Sequence, residues 1–558
     1  MSIMRTFGAP TTKAIHFTTS GAIPAYAVNK MSRVTTLSPP LPAPARDRLV
    51  PPQPGSVLWG WLGPLIVTVL GGILRFWNLG KPHEVMFDET YYAKEALSLL
   101  RFGVETKSVD KPDVPLLAGG DGVFRACAKV AECADYVVHP PLGKWTIALG
   151  EWMFGINPFG WRFMAAVVGT LSILILARTA RRMTRSTLLG CFAGLLLAVD
   201  GMHMVMSRAA LLDIFLSFWL VAAFACLVTD RDHMRAKLAG WHARSILDDF
   251  GPALGWRPWR LAAGLCLGAA TATKWTGAFF VVTFLILTLC WDAGARRSLG
   301  LRRPYRGHLS KDLPLGVAWM WVVPVVVYVV SYAGWFASER GWARNWAQAT
   351  DHGWAFFVFD SIRSLVGYQL QALSFHTGLA SGHSYATEPW QWPLQYRPVL
   401  LHYSSPTGCG AESCSSAIYA AGTPILWFAG LAAMVGMLSW YTATRDWRAG
   451  AALLGYATGW VPWFYYAIVD NRTMYQFYAL PMVPFMILAL TLVAGLALGK
   501  RDASPARRSR GAVAVGVFAL LVLANFAWLQ PILTGDTITY DGWRARLLYS
   551  SWVPPAGD

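Results

Sequence analysis

Phe87-Asp88-Glu89-Thr90-Tyr91-Tyr92 sets two adjacent carboxylates eleven residues after a long apolar run, and His139-Pro140-Pro141-Leu142-Gly143-Lys144 sets an imidazole and an amine just before another. A deprotonated carboxylate takes a proton from a hydroxyl, and cations sharing its surroundings neutralise a phosphate. Arg162, Arg208, Asp213 and Lys274 lie in or at the ends of apolar runs, Lys274 within Thr271-Ala272-Thr273-Lys274-Trp275-Thr276-Gly277. A charge at a membrane-helix centre costs roughly 2.5–3.5 kcal/mol on insertion scales, so charges kept there are usually paired or functional. Together these residues suit an anionic lipid-phosphate ligand and a group that must lose a proton. Each also has a plainer reading. Asp88 caps the helix it opens and Glu89 complements its dipole. Arg208 and Lys274 snorkel, or Arg208 pairs with Asp213 just over one turn away. His139 and Lys144 are either phosphate contacts or parts of a helix started by Pro140 and Pro141.

The elements that hold these residues are read from composition. The chain has 558 residues, 55% hydrophobic and 14% charged, with 28 Trp, and its mean hydropathy is +0.38. That excludes a disordered chain and argues against a soluble one. A hydrocarbon core of about 30 Å needs roughly 20 apolar residues in a helix. Eleven such spans are expected, near 57–76, 158–177, 187–206, 209–228, 259–273, 275–291, 313–335, 417–440, 449–467, 474–498 and 511–530. The expected class is an all-α polytopic membrane protein. Tyr92, Ala96, Leu99 and Leu100 fall on one face of a short amphipathic helix after Asp88, lying along the membrane surface.

The net charge of +17 would suggest a nucleic-acid partner in a soluble chain, but here it orients the spans. With a cytoplasmic N-terminus, the inner segments hold 29 Lys+Arg against 9 Asp+Glu, or +20, and the outer segments sum to −4. No nucleic-acid role is expected, and the C-terminus falls outside. Residues 1–56 read as a disordered cytoplasmic tail with Met31 an alternative start, 57–530 as the multispanning domain with long outer segments 77–157 and 336–416, and 531–558 as an extracytoplasmic tail. The outer segments hold Cys127 with Cys133 and Cys409 with Cys414, which read as disulfides of an oxidising exterior, a zinc site being the competing reading. Trp342, Trp346, Trp354, Trp390 and Trp392 in the second of them either cover an acceptor cleft or pack at the interface. Asp470-Asn471-Arg472 through Tyr478 opens the tenth span, with Arg472 and Tyr478 either substrate contacts or a cap and aromatic belt.

Phe87-Asp88-Glu89, His139 through Lys144, Ser207-Arg208 through Leu212-Asp213, and Lys274-Trp275-Thr276-Gly277 resemble, in order and topological position, the protein O-mannosyltransferases. The resemblance spans most of residues 57–530. It implies a GT-C glycosyltransferase of the plasma membrane that moves mannose from polyprenyl phosphate to Ser or Thr of secretory proteins at the outer face, possible contact with the Sec machinery included. It implies Asp88 as catalytic base, Glu89 orienting sugar or acceptor peptide, and Arg162 as the phosphate-binding arginine, helped by Arg208 or Lys274. Asp213 is then expected to hold Arg208. Single displacement converts a β-linked donor to an α-linked product. No His/Asp/Glu spacing suits a metal, so no metal and no cofactor beyond the lipid-linked donor is expected. Segment 336–416 is too short for the β-trefoil domain of eukaryotic relatives, which points to a bacterial, actinobacterial member, and 104–138 lengthens the first outer loop beyond the family's pattern. Two other functions compete: a transferase using the same carrier for a lipid or polysaccharide acceptor, and a lipid-linked sugar transporter in which Asp88 binds rather than catalyses. A transporter would place charges near the midplane of two matched halves, and no such repeat is present.

Overall fold

The computed structural model describes residues 49–554 except 54, 128–129, 245–247, 350–358 and 501. Nearly all of the expected tail 1–56, with Met31, lies outside the described residues, as does Trp354.

Helices dominate because the apolar runs are long and their ends carry helix signals. Helix α1 (Val57–Phe76) is capped by Ser56, whose hydroxyl accepts from the Trp59 amide. A short surface helix α2 (Glu89–Phe102) ends on Gly103 at φ 76, the left-handed turn that glycine adopts without strain. Next come α3 (Leu142–Phe154), opened by Pro140-Pro141, and α4 (Pro158–Thr184), capped by Asn157 with Pro158 at its first position. Helices α5 (Thr187–Ala198) and α6 (Gly201–Met206) lead into the longest, α7 (Leu212–Ala243), of 32 residues. Then follow α8 (Pro258–Thr273), α9 (Gly277–Ser298), α10 (Leu313–Ser331), α11 (Asp360–Gly378), α12 (Pro424–Thr444), α13 (Trp447–Trp460), α14 (Gln476–Leu498) and α15 (Pro505–Leu529).

Among the described residues, eight of these helices are long and apolar enough to cross a membrane: α1, α4, α7, α9, α10, α12, α14 and α15. The other three expected spans are helical but shorter or broken. Asp200 accepts from the His203 amide and caps a new helix, so 187–206 divides into α5 and α6. Pro462 starts a fresh turn after α13 and divides 449–467, while α8 has 16 residues. Helix α14 forms the centre, 83% of its most apolar stretch buried, whereas α10 and α15 keep 17% buried and present Val, Leu and Trp outward. An outward apolar face is what lipid, rather than water, accommodates.

The chain is mostly helical, as expected, with one small sheet besides. A small antiparallel sheet of order β1-β2-β3 joins β1 (Leu400–Ser404), β2 (Cys414–Tyr419) and β3 (Ile538–Thr539). The end of strand β2, from Ala417 to Tyr419, falls in the apolar run read as the start of span 417–440. The described residues after 530 pack against this sheet: Trp552 is buried, its ring centre lies 5.7 Å from that of Tyr419, and its Nε1 donates to the Gln395 carbonyl at 2.9 Å. Both outer cysteine pairs, Cys127–Cys133 and Cys409–Cys414, are disulfides rather than zinc ligands.

At the other end of α7, charges read only as topology signals are paired. Asp230, Arg257, Arg260 and Asp292 are all buried, with Arg257 bridging both aspartates at 2.5 and 2.6 Å and Arg260 bridging them at 3.1 and 2.9 Å. This quartet ties α7, α8 and α9 together.

Candidate active site

Three elements converge on Asp88. Phe87 stands at φ 47, an uncommon conformation for a bulky residue, and its ring is fixed edge-on against His383, Tyr475 and Phe477 at 5.5–6.1 Å. That kink presents Asp88 at the N-cap of α2, yet its carboxylate makes no capping hydrogen bond. Capping is therefore not its role here. Burial pushes its pKa up to about 7; the Lys274 charge opposes the rise, and Asp213 and Glu95 add to it.

Glu89 does the opposite and turns inward. Its two oxygens accept from the amides of Met86 and Ala210, each at 3.0 Å, and from Arg162 at 2.8 Å twice. Glu89 and Arg162 are both fully buried. The remaining Arg162 donors go to the carbonyls of Leu79, Pro82 and Glu84. The expectations that Arg162 binds a phosphate and Glu89 a sugar or peptide are corrected: the pair clamps the loop before Asp88 to α4 and to the turn before α7. The low dielectric around it forbids leaving either charge alone.

Arg208 is also placed differently. Its guanidinium donates to the carbonyls of Leu74, Arg75, Trp77 and Asn78 at 2.6–3.4 Å, closing the C-terminal end of α1, whose last carbonyls have no helical partner. The expected Arg208–Asp213 pair does not form. Asp213 instead holds Lys274 through both oxygens, at 2.9 and 3.0 Å, and the Lys274 ammonium lies 4.3 Å from the Tyr478 ring centre. Lys274 sits in the extended turn between α8 and α9, and Asp213 in the first turn of α7.

Lys144 and His139 part company. Lys144 is fully buried and bridges Glu95 of α2, at 3.2 Å, and Glu105. Burial alone would lower its pKa, but the charges of Glu105 and Glu95 raise it. The long 104–138 stretch thus supplies Glu105 as a structural partner. His139 faces a cavity, its ring 5.3 Å from that of His376. Burial, with Lys274 and His376 nearby, holds it well below the ordinary histidine pKa, so it is neutral.

That cavity, of about 500 Å³, lies among α8, α9, α10 and α11. Phe279, Val282, Trp321, Val325 and Leu373 make an apolar wall, and Lys274, Arg472, His139 and His376 are polar groups on it. His376 has its Nε2 3.2 Å from the Val138 carbonyl, so Nε2 carries the proton and Nδ1 accepts from Arg472 at 3.2 Å. Burial and the Arg472 charge lower His376 to about 4. Arg472 keeps a buried Nε without a hydrogen-bond partner. His376 was missed in the sequence, and Arg472 was weighed there but not placed among the site residues. Nothing in their spacing, 96 residues apart, announces that they meet. Among the described residues, no three His, Cys, Asp or Glu side chains gather as metal ligands.

The arrangement combines an apolar cavity with a cationic rim and, beyond Lys274, a carboxylate poised to exchange a proton near neutral pH. Residues 65–337 match the family model for dolichyl-phosphate-mannose-protein mannosyltransferase, and residues 361–552 that for the C-terminal four TMM region of protein-O-mannosyltransferase. A polyprenol-phosphate-mannose–protein mannosyltransferase of Mycolicibacterium smegmatis is 42% identical over 509 residues, 88% of this chain and 93% of that one. One of Mycobacterium tuberculosis is 39% identical over 535 residues, covering 92% and 96%, and one of Corynebacterium glutamicum 32% identical over 524, covering 90% and 96%. In fold, the chain is similar to the Saccharomyces cerevisiae protein O-mannosyltransferase Pmt1-Pmt2 complex bound to the sugar donor. The TM-score is 0.64 at 16% identity, over 91% of this chain and 94% of that one.

Proposed function

Because the chain belongs to the dolichyl-phosphate-mannose-protein mannosyltransferase family, with its GT-C fold, we propose that it moves mannose from polyprenyl-phosphate mannose to Ser or Thr hydroxyls of secretory proteins. The site faces the outer side of the plasma membrane, the N-terminus lies inside, and acceptors arrive as they leave the Sec channel. The observation that carries the chemistry is Asp88, a carboxylate without a capping bond whose pKa stands at about 7.

The acceptor oxygen attacks the anomeric carbon as its proton passes to Asp88. The bond from that carbon to the phosphate oxygen breaks, and the electron pair leaves with the polyprenyl phosphate. One displacement inverts the centre, so a β-linked donor yields an α-linked product. A phosphate is a good leaving group and needs charge neutralisation more than a proton. Lys274 supplies part of that charge. Arg472, with its unused Nε, supplies the rest, and the apolar wall of the cavity takes the prenyl chain. Preorganised donors of this kind need no reorganisation as charge develops. Neutral His139 and His376 line the rim without competing for the phosphate as cations.

No resident metal takes part, and transfer that chelation stops and a divalent ion restores would refute this. The test of function is incubation of membranes holding the protein with polyprenyl-phosphate mannose and a Ser/Thr-containing secretory peptide. Mannosylated peptide supports the reading. Label recovered only in lipid or polysaccharide, or donor moved across the bilayer unchanged, rejects it.

A further inference from the structure

The helix bundle carries a second cation-lined cavity, at the membrane face opposite Asp88. Asp213 and Arg231 lie on the same helix, α7, and their separation in sequence amounts to about 27 Å of helical rise, close to the hydrocarbon thickness of about 30 Å. A cavity of about 560 Å³ at the Arg231 end is lined by Arg185, Arg231, Arg235, Arg445 and Arg448, with Asp446 its one carboxylate among the described residues.

Two of these arginines are incompletely satisfied. Arg231 is 6% exposed and lies 3.6 Å from the Trp447 ring centre, and its buried Nε has no hydrogen-bond partner. Its contact with Asp232 is long, at 3.4 Å. The Arg235 Nε is likewise buried and unpartnered. A buried donor left unmade is costly, so two of them on arginines that line one cavity point to an acceptor there.

A neighbouring cavity of about 990 Å³ shares Arg185, Trp440, Asp446 and Arg448, then runs over an apolar wall that includes Leu188, Met437, Leu492 and Leu496. Leu188 is 67% exposed and Leu496 40%. An inorganic phosphate would fill the first cavity and leave this wall bare. An amphiphile with an anionic head and hydrocarbon chains fills both.

We infer that the inner face of the protein holds an anionic phospholipid, its phosphate against Arg231 and Arg235 and its chains along the Leu188–Leu496 wall. Guanidinium groups suit this because they are weakly hydrated and grip phosphate oxygens in pairs, and basic pockets between helices at the inner face recognise acidic head groups.

Full-length protein purified in detergent is titrated with phosphatidylglycerol, phosphatidylcholine or inorganic phosphate, with native mass spectrometry counting bound lipid and thermal unfolding recording the midpoint. Phosphatidylglycerol is expected to stay bound and raise the midpoint, the other two not. Arg235→Gln should weaken phosphatidylglycerol binding about tenfold, the value of one charge-assisted contact. Arg445, which is exposed and whose guanidinium lies 5.5 Å from the Tyr441 ring centre, gives a second variant, Arg445→Gln, at the surface. Equal retention of the two lipids, equal stabilisation by inorganic phosphate alone, or unchanged affinity in the folded variants would overturn the assignment. Neither readout involves mannosyl transfer, so the outcome is independent of the proposed reaction.

Discussion

Arg162 grips both carboxylate oxygens of Glu89 at 2.8 Å while Asp88, one residue earlier, is left without a capping bond. Two adjacent carboxylates thereby acquire unlike roles from their surroundings. One is neutralised by a buried cation and holds the loop. The other is dehydrated, stays partly accessible and can trade a proton.

Breaking the buried pair should unfold before it slows. Arg162→Met leaves Glu89 charged and unpaired, which costs about 3–5 kcal/mol in buried pairs. A lower thermal midpoint and poor recovery of folded protein are expected. Arg162→Met combined with Glu89→Leu should regain part of that loss, though not all, because the Met86 and Ala210 amides lose their acceptor. An unchanged midpoint with a raised donor KM would instead make Arg162 a substrate contact.

The pH dependence follows from Asp88. Only its deprotonated form accepts the hydroxyl proton, so kcat/KM should rise through about pH 7 and level off above it. Stability runs the other way. A carboxyl raised from about 3.9 when unfolded to about 7 when folded favours the protonated form, so its contribution is full at low pH and is lost as pH rises through about 7. Asp88→Asn should therefore unfold at a higher temperature than the wild type at pH 8 and show no such difference at pH 4.

Lys274 and Asp213 should move that profile in opposite directions. The Lys274 charge lowers the Asp88 pKa and the Asp213 charge raises it. Lys274→Met should shift the acid limb of kcat/KM upward, and Asp213→Asn downward. Shifts of the same sign in both variants would mean that neither acts on Asp88 electrostatically.

Arg472→Gln removes a cation from the cavity rim without disturbing the Asp88 loop. Losing one preorganised donor typically costs roughly 2.7–4 kcal/mol, or a 10²–10³-fold loss of kcat. Unaltered kinetics with a lowered melting temperature would reduce Arg472 to the cap that its sequence context suggests.

The membrane helices were legible because runs of apolar residues have little other use, and the Asp88 and His139 helices because their prolines and periodicity mark them. Asp200 hid a break in the third expected span, since one capping residue inside an apolar run reads as an isolated charge. Strand β2 was hidden because Ala417-Ile418-Tyr419 is apolar in either conformation. At the site, sequence spacing brought the right residue types forward but misassigned partners. Asp213 could be matched with Arg208 along one helix, whereas its actual partner, Lys274, lies 61 residues away. Arg162 looked available because its chemistry suits phosphate, and only packing reveals that all its directions are taken. His376 and Arg472 meet across 96 residues through the fold alone.

The most direct test of the whole account is mannose transfer from polyprenyl-phosphate mannose to a Ser/Thr peptide by purified Asp88→Asn, alongside a matched change of an exposed acid such as Asp121→Asn. Transfer should vanish in Asp88→Asn, with the helical spectrum retained and the thermal midpoint no lower than that of the wild type, and persist in Asp121→Asn. Transfer at the wild-type rate by folded Asp88→Asn would contradict Asp88 as the base.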